Sequence, residues 1–273
     1  MRMLLVVPLM ACLTPTLYPN TWQDIRQLGQ STHRRPLLQS IVGGGLMFIY
    51  LALLYVAIGL IPTGVAMALF FTYPVFTALF TWRLFGHRPS RFRWGVMGLV
   101  LMGGALTMPA FQPTAESYLW LGGVFGLGSG VAYALYAVNA QKSFETIHPA
   151  PFTWISFATT LGLSAACLLL WRGQSVELDW LPLWIGGLLS AIVTLAAHLL
   201  NNFGIRLIGA VSAAMISASN PALTVILAWF TIQERLNGLQ LAGVGVVTLS
   251  IVLLSRDYAL AKSNTAAGHN DGK

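Results

Sequence analysis

His198, Asn201 and Asn202 stand at i, i+3 and i+4 in an apolar run, so on a helix the histidine shares one face with both amides. Two amides beside an imidazole supply hydrogen-bond donors and acceptors, and the imidazole can also gain charge near neutral pH. Pro74 and Pro221 interrupt two further apolar runs. Each lacks a backbone N–H and releases the carbonyl four residues earlier, at Phe70 and Ser217. Released carbonyls inside a membrane helix can line a substrate path. Ser217, Ser219 and Asn220 make the second proline's surroundings polar, whereas the first has Phe70, Thr72 and Tyr73. Ser129, Tyr133 and Tyr136 fall at i, i+4 and i+7, a stripe of phenols suited to an amphipathic molecule. The candidate substrate-contacting set is Tyr73, Pro74, Tyr136, His198, Asn201, Asn202, Ser217, Asn220 and Pro221. Against each stands a structural role: interhelical hydrogen bonds, averaging about 0.6 kcal/mol, or back-bonding of serine to its own helix.

The elements that must hold these residues are membrane helices. Of 273 residues, 56% are hydrophobic and 8% charged, too few charges to clothe a water-soluble surface. The apolar runs match the roughly 17–25 residues a helix needs to cross a hydrocarbon core, and lipid offers no partner to an open sheet edge. The expected class is all-α, with nine spans near 3–19, 37–59, 62–82, 92–110, 118–141, 152–171, 181–202, 209–230 and 238–255. Gly122, Gly126 and Gly130 form two overlapping GxxxG patterns that close helix packing explains. Cys12 and Cys167 lie inside spans without metal or disulfide spacing and read as packing residues.

The net charge of +7 follows membrane topology and does not point to nucleic acid. Segments 20–36, 83–91, 142–151, 203–208 and the tail after 255, with Arg93, hold 12 of the 15 Lys and Arg residues. The opposite side holds Arg2, Arg172 and Arg235, so the C-terminus is expected in the cytoplasm and, with nine spans, the N-terminus outside.

An internal repeat organises the spans. With Pro74 set on Pro221, 147 positions on, Ile58, Leu60, Ile61, Ala66, Thr77, Trp82 and Arg88 meet Ile205, Leu207, Ile208, Ala213, Thr224, Trp229 and Arg235. The same shift lays 5–19 on 152–166, so the first segment reads as a retained helix and not a secretory signal. The helix at 118–141 maps before residue 1, so the early copy is expected to lack its first helix. The organisation expected is a first repeat at 1–111, a second at 118–256 and a polar tail at 257–273. Five spans per copy is odd, which inverts one copy relative to the other, as in alternating-access carriers.

These features resemble the drug/metabolite transporter superfamily, in particular EamA-type permeases. Ala213, Ala214, Pro221, Glu234, Arg235 and Gly243 match the end of a family repeat, and Ala66, Ala68, Pro74, Gly86, Arg88 and Gly95 match it in the first copy. His87 stands where the family pattern has Glu. The resemblance implies an inner-membrane carrier that exports amino acids, related metabolites or drugs through a central cavity. The partners expected are a small-molecule substrate and membrane lipids, with a homodimer left open. No phosphate loop, HExxH or CxxC pair, and no mid-span carboxylate, points to an enzyme or a cofactor. The rival reading is a non-transporting membrane scaffold, for which the packing glycines would suffice.

Overall fold

The structure, a computed structural model, describes residues 2–20, 23, 25–26, 34–61, 63–86, 90–107, 119–170 and 180–220, then shorter stretches: 223, 226, 230, 238–239, 241–246, 248–250 and 252–253. The principal helices are α1 (Arg2–Leu17), α2 (Arg34–Leu60), α3 (Thr63–Phe70), α4 (Tyr73–Phe85), α5 (Arg91–Thr107), α6 (Leu119–Ser143), α7 (Pro149–Leu170), α8 (Trp180–Ile208) and α9 (Ala210–Ser217). No strand occurs among the described residues. Four of their helical segments are long and apolar enough to cross a membrane: Arg34–Leu60, Trp120–Ser143, Pro149–Leu170 and Ile185–Ile208. Their outer faces carry exposed leucines, including Leu168, Leu169, Leu170, Leu200 and Leu207, while Thr153, Ser156, Thr160 and Asn202 are buried. A polar interior beneath an apolar exterior is what a bilayer selects. Cys12 and Cys167 are free thiols on exposed positions of α1 and α7, not packed inside as expected.

The expected span 62–82 is in fact two helices, α3 and α4, parted at Phe71–Thr72. Pro74 sits in the first turn of α4, where its missing N–H leaves no gap in the ladder. The break is stitched locally: Phe71 N donates to Met67 O at 2.9 Å and Thr72 N to Leu69 O at 3.2 Å. The Thr72 hydroxyl adds a second bond to Leu69 O at 2.6 Å. Past α9 the pattern recurs, with Ala218 N on Ala214 O at 2.9 Å and Ser219 N on Ile216 O at 3.0 Å. The Ser219 hydroxyl likewise binds Ile216 O at 2.5 Å. Every donor and acceptor here lies 147 positions after its counterpart, and the bounds 63–70 and 210–217 differ by the same shift.

Two compact units collect these helices. The first comprises Met1–Leu53 and Val131–Ala210. In it α1 packs on α7 and α8, and α2 meets α7 through glycine. A Cβ on Gly44 would lie 2.5 Å from both Ser156 O and Thr159 Cβ. That approach lets the Ser156 hydroxyl donate to Ser40 O at 3.1 Å and the Thr160 hydroxyl to Gly44 O at 2.9 Å. Gly209 joins α8 to α9 at φ 82°, and Ala210 N beyond it is capped by Gln141 Oε1 at 2.7 Å. A left-handed residue with a Cβ costs about 1–2 kcal/mol, so Gly209→Ala is expected to lower thermal stability in detergent by that order. An unchanged melting temperature would refute this.

The second unit comprises Leu54–Gly130 and Val211–Lys273. Here the glycine stripe of α6 receives α3: a Cβ at Gly122 would strike the Ile61 side chain, and Gly126 lies against Leu69. Gly130 meets the break itself, since a Cβ there would be 3.0 Å from Phe70 O at the end of α3. Ala78, Val96, Met97, Val100, Met215 and Ala218 form a buried cluster of this unit between α4, α5 and the end of α9.

Candidate functional site

In the first unit, two amides of α8, Asn201 and Asn202, meet the phenols of α6, Tyr133 and Tyr136. Asn202 is fully buried, and its Nδ2 donates to the Thr153 hydroxyl of α7 at 2.8 Å. The Tyr136 hydroxyl lies 3.2 Å from Asn202 Oδ1 as donor and 3.1 Å from Nδ2 as acceptor. The Thr153 hydroxyl itself donates to Pro149 O at 2.6 Å. Each polar atom of this node has a partner, so Asn202 ties α6, α7 and α8 together. Truncation would leave the buried Tyr136 hydroxyl without its amide partner and take one of two partners from Thr153.

One turn back along α8, half-buried His198 faces a different neighbourhood. Its Nδ1 lies 3.0 Å from Thr194 O. A carbonyl only accepts, so Nδ1 carries the hydrogen, and in the neutral ring Nε2 is then an acceptor. The Tyr50 hydroxyl of α2, 3.2 Å away, donates to it. Phe157 of α7 sets its ring 5.4 Å from the imidazole, and Tyr133 stands edge-on to Tyr50 at 5.2 Å. Tyr133 is hydrogen-bonded in turn to Asn201. The result is a cluster of imidazole, amide and phenol groups among aromatic rings, with the polar and apolar chemistry that an amphipathic molecule would meet.

The remaining candidates belong to the second unit. Tyr73 is buried, and its hydroxyl donates to Ala214 O at 3.3 Å, linking α4 to α9. Pro74 is buried beside it, Ser217 ends α9, Asn220 is exposed just past the second break, and Pro221 lies outside the described residues. Tyr136, His198, Asn201 and Asn202 are thus brought together, and Tyr73 and Pro74 form a separate neighbourhood. Tyr50, Thr153 and Phe157 were not anticipated. Thr153, Ser156 and Thr160, at i, i+3 and i+7, form a polar stripe along α7 that could have signalled a buried face.

Residues 120–256 match the model of the EamA-like transporter family. An uncharacterized transporter of Synechocystis sp. is 52% identical over 273 residues, 100% of this chain and 82% of that protein. The chain belongs to the EamA-like transporter family. The threonine/homoserine exporter RhtA of Escherichia coli is 26% identical to this EamA-like transporter over 220 residues, 78% of this chain and 68% of the exporter. One solved crystal structure shares the fold, with a TM-score of 0.72 at 18% identity, covering 93% of this chain and 86% of its own. This EamA-like transporter is therefore a multi-pass helical membrane protein that carries small metabolites and is not an enzyme.

Proposed function

We propose that this EamA-like transporter is a secondary carrier of the inner membrane that exports amino acids or related small metabolites. It works by alternating access, with two inverted repeats rocking about a central cavity and the C-terminus in the cytoplasm. The observation that carries this reading is the joining of Tyr133, Tyr136, His198, Asn201 and Asn202 inside segments otherwise built from apolar residues. Polar groups at membrane depth are costly and mark substrate pathways. The matched breaks after Phe70 and after Ser217 support it, because interrupted helices at corresponding positions accompany a binding site in inverted-repeat carriers. The likeness to RhtA, a threonine/homoserine exporter, supports this choice of substrate class.

The test is counterflow in reconstituted vesicles preloaded with unlabelled L-threonine or L-homoserine. Labelled substrate is expected to accumulate transiently against its gradient, without ATP. Correctly inserted protein that moves no member of an amino-acid and drug panel would favour the scaffold reading.

A further inference from the structure

We infer that Ser190 and Thr194, on one edge of α8, line a water-filled route along which the substrate passes between the Tyr133–Asn201 cluster and the outside. The inference rests on the transport reading and adds where the route runs and what it offers a zwitterionic substrate.

Helical turn sets this edge apart. At about 100° per residue, Thr194 lies about 40° around α8 from Ser190, and Asn201 about 20°. At about 1.5 Å per residue the three make a strip roughly 16 Å long, half the depth of a hydrocarbon core about 30 Å thick. The strip is distinct from the packing face of α8, where Ala191, Leu195, Leu199, Asn202 and Ile205 are buried. It is distinct from the lipid face too: exposed Leu189, Ile192, Leu200 and Leu207 lie about 100–180° around from it. Ser190 is exposed and Thr194 half-buried, so both reach the surroundings of the helix.

A hydroxyl at membrane depth is costly where lipid is the solvent. Serine and threonine escape that cost by bonding a carbonyl of the preceding turn, as Thr153, Thr159 and Thr160 of α7 do at 2.6, 2.9 and 2.9 Å. Among the described residues, neither the Ser190 nor the Thr194 hydroxyl makes such a bond. Hydroxyls held this way serve water or a passing solute, donating to a carboxylate and accepting from an ammonium. Room lies beside them. A Cβ on Gly186 or Gly204, on the flank of the strip, would meet nothing within 4 Å, so close helix packing does not account for these glycines.

The strip begins at the cluster, where Asn201 is bonded to Tyr133 and Thr194 O holds His198. It runs from there toward the N-terminal end of α8, away from segment 203–208, which the charge bias assigns to the cytoplasm. An exporter needs that outward leg.

Reactivity toward a charged thiol reagent tests the route. In a Cys12→Ala, Cys167→Ala background, which removes both native cysteines, Ser190→Cys, Thr194→Cys, Leu189→Cys and Ile192→Cys are each treated in reconstituted vesicles. The reagent is a methanethiosulfonate bearing a trimethylammonium group, supplied on both membrane faces. A thiol facing lipid stays protonated and beyond its reach, so the first two variants should react about tenfold faster or more than the last two. Saturating L-threonine should slow them. Equal rates at all four positions, or rates that L-threonine leaves unchanged, overturn the route while parental counterflow keeps transport standing; if one cysteine variant fails to fold, the other decides. Thr194→Val keeps the shape and removes the hydroxyl. It should raise the KM for L-threonine counterflow about threefold, the size of one average membrane hydrogen bond, at an unchanged melting temperature. An unchanged KM also overturns the route. No counterflow of any panel member by the intact chain removes the transport reading, and the route with it.

Discussion

Gly44→Leu is expected to abolish recovery of folded protein from the membrane. A single Cβ at this position would stand 2.5 Å from the Ser156 carbonyl oxygen, a backbone atom that cannot swing aside, and as close to Thr159 Cβ. α2 and α7 would have to separate, and both interhelical bonds that depend on the approach, Ser156 to Ser40 O and Thr160 to Gly44 O, would lengthen. Overpacking alone costs about 1–3 kcal/mol for small insertions, and leucine adds three carbons beyond alanine. Gly44→Ala should accordingly fold with a lowered melting temperature. Gly45 is the control, since a Cβ there meets nothing within 4 Å, so Gly45→Ala should match or exceed the parent stability. Monodisperse yield after detergent extraction reads all three, and a leucine variant with parental yield would contradict the packing described here.

Asn202→Leu is expected to destabilise the first unit by about 1–3 kcal/mol, because it orphans the buried Tyr136 hydroxyl and takes one of its two partners from the Thr153 hydroxyl. The pair with Tyr136→Phe is more telling. If the amide and the phenol act as one node, the double variant should lose less stability than the two singles summed, because the second change removes an orphan created by the first. Thermal unfolding of the four proteins measures the coupling. Simple additivity would show that the two side chains serve separate purposes.

Much of this architecture is written in proline and glycine. The ends of α3, α4 and α8 follow from Pro74, Gly86 and Gly209, because those residues change what the backbone can bond or which φ it can adopt. The faces bearing Tyr133 with Tyr136, and His198 with Asn201 and Asn202, are equally legible, since helical spacing puts each set on one side. That the two faces meet is not legible. In a soluble protein the apolar stripe of a helix points inward, but here lipid receives Leu168, Leu169 and Leu170 as readily as a core would, so apolarity no longer tells inside from outside. The Tyr50 partnership with His198 spans 148 positions and depends on which helices become neighbours. For the same reason the bonds from α7 to the backbone of α2 leave no trace in the spacing of Ser40 or Gly44.

Those bonds carry a consequence for biosynthesis. Thr160 emerges from the ribosome 116 residues after Gly44, the carbonyl it will bind. At about 5–20 residues per second, α2 waits in the bilayer for roughly 6 to 23 s before that partner exists. During that interval its close-packing glycine face is exposed to lipid and to other nascent chains, which makes the half-made protein, and not the finished one, the form most open to membrane proteases and to mispairing.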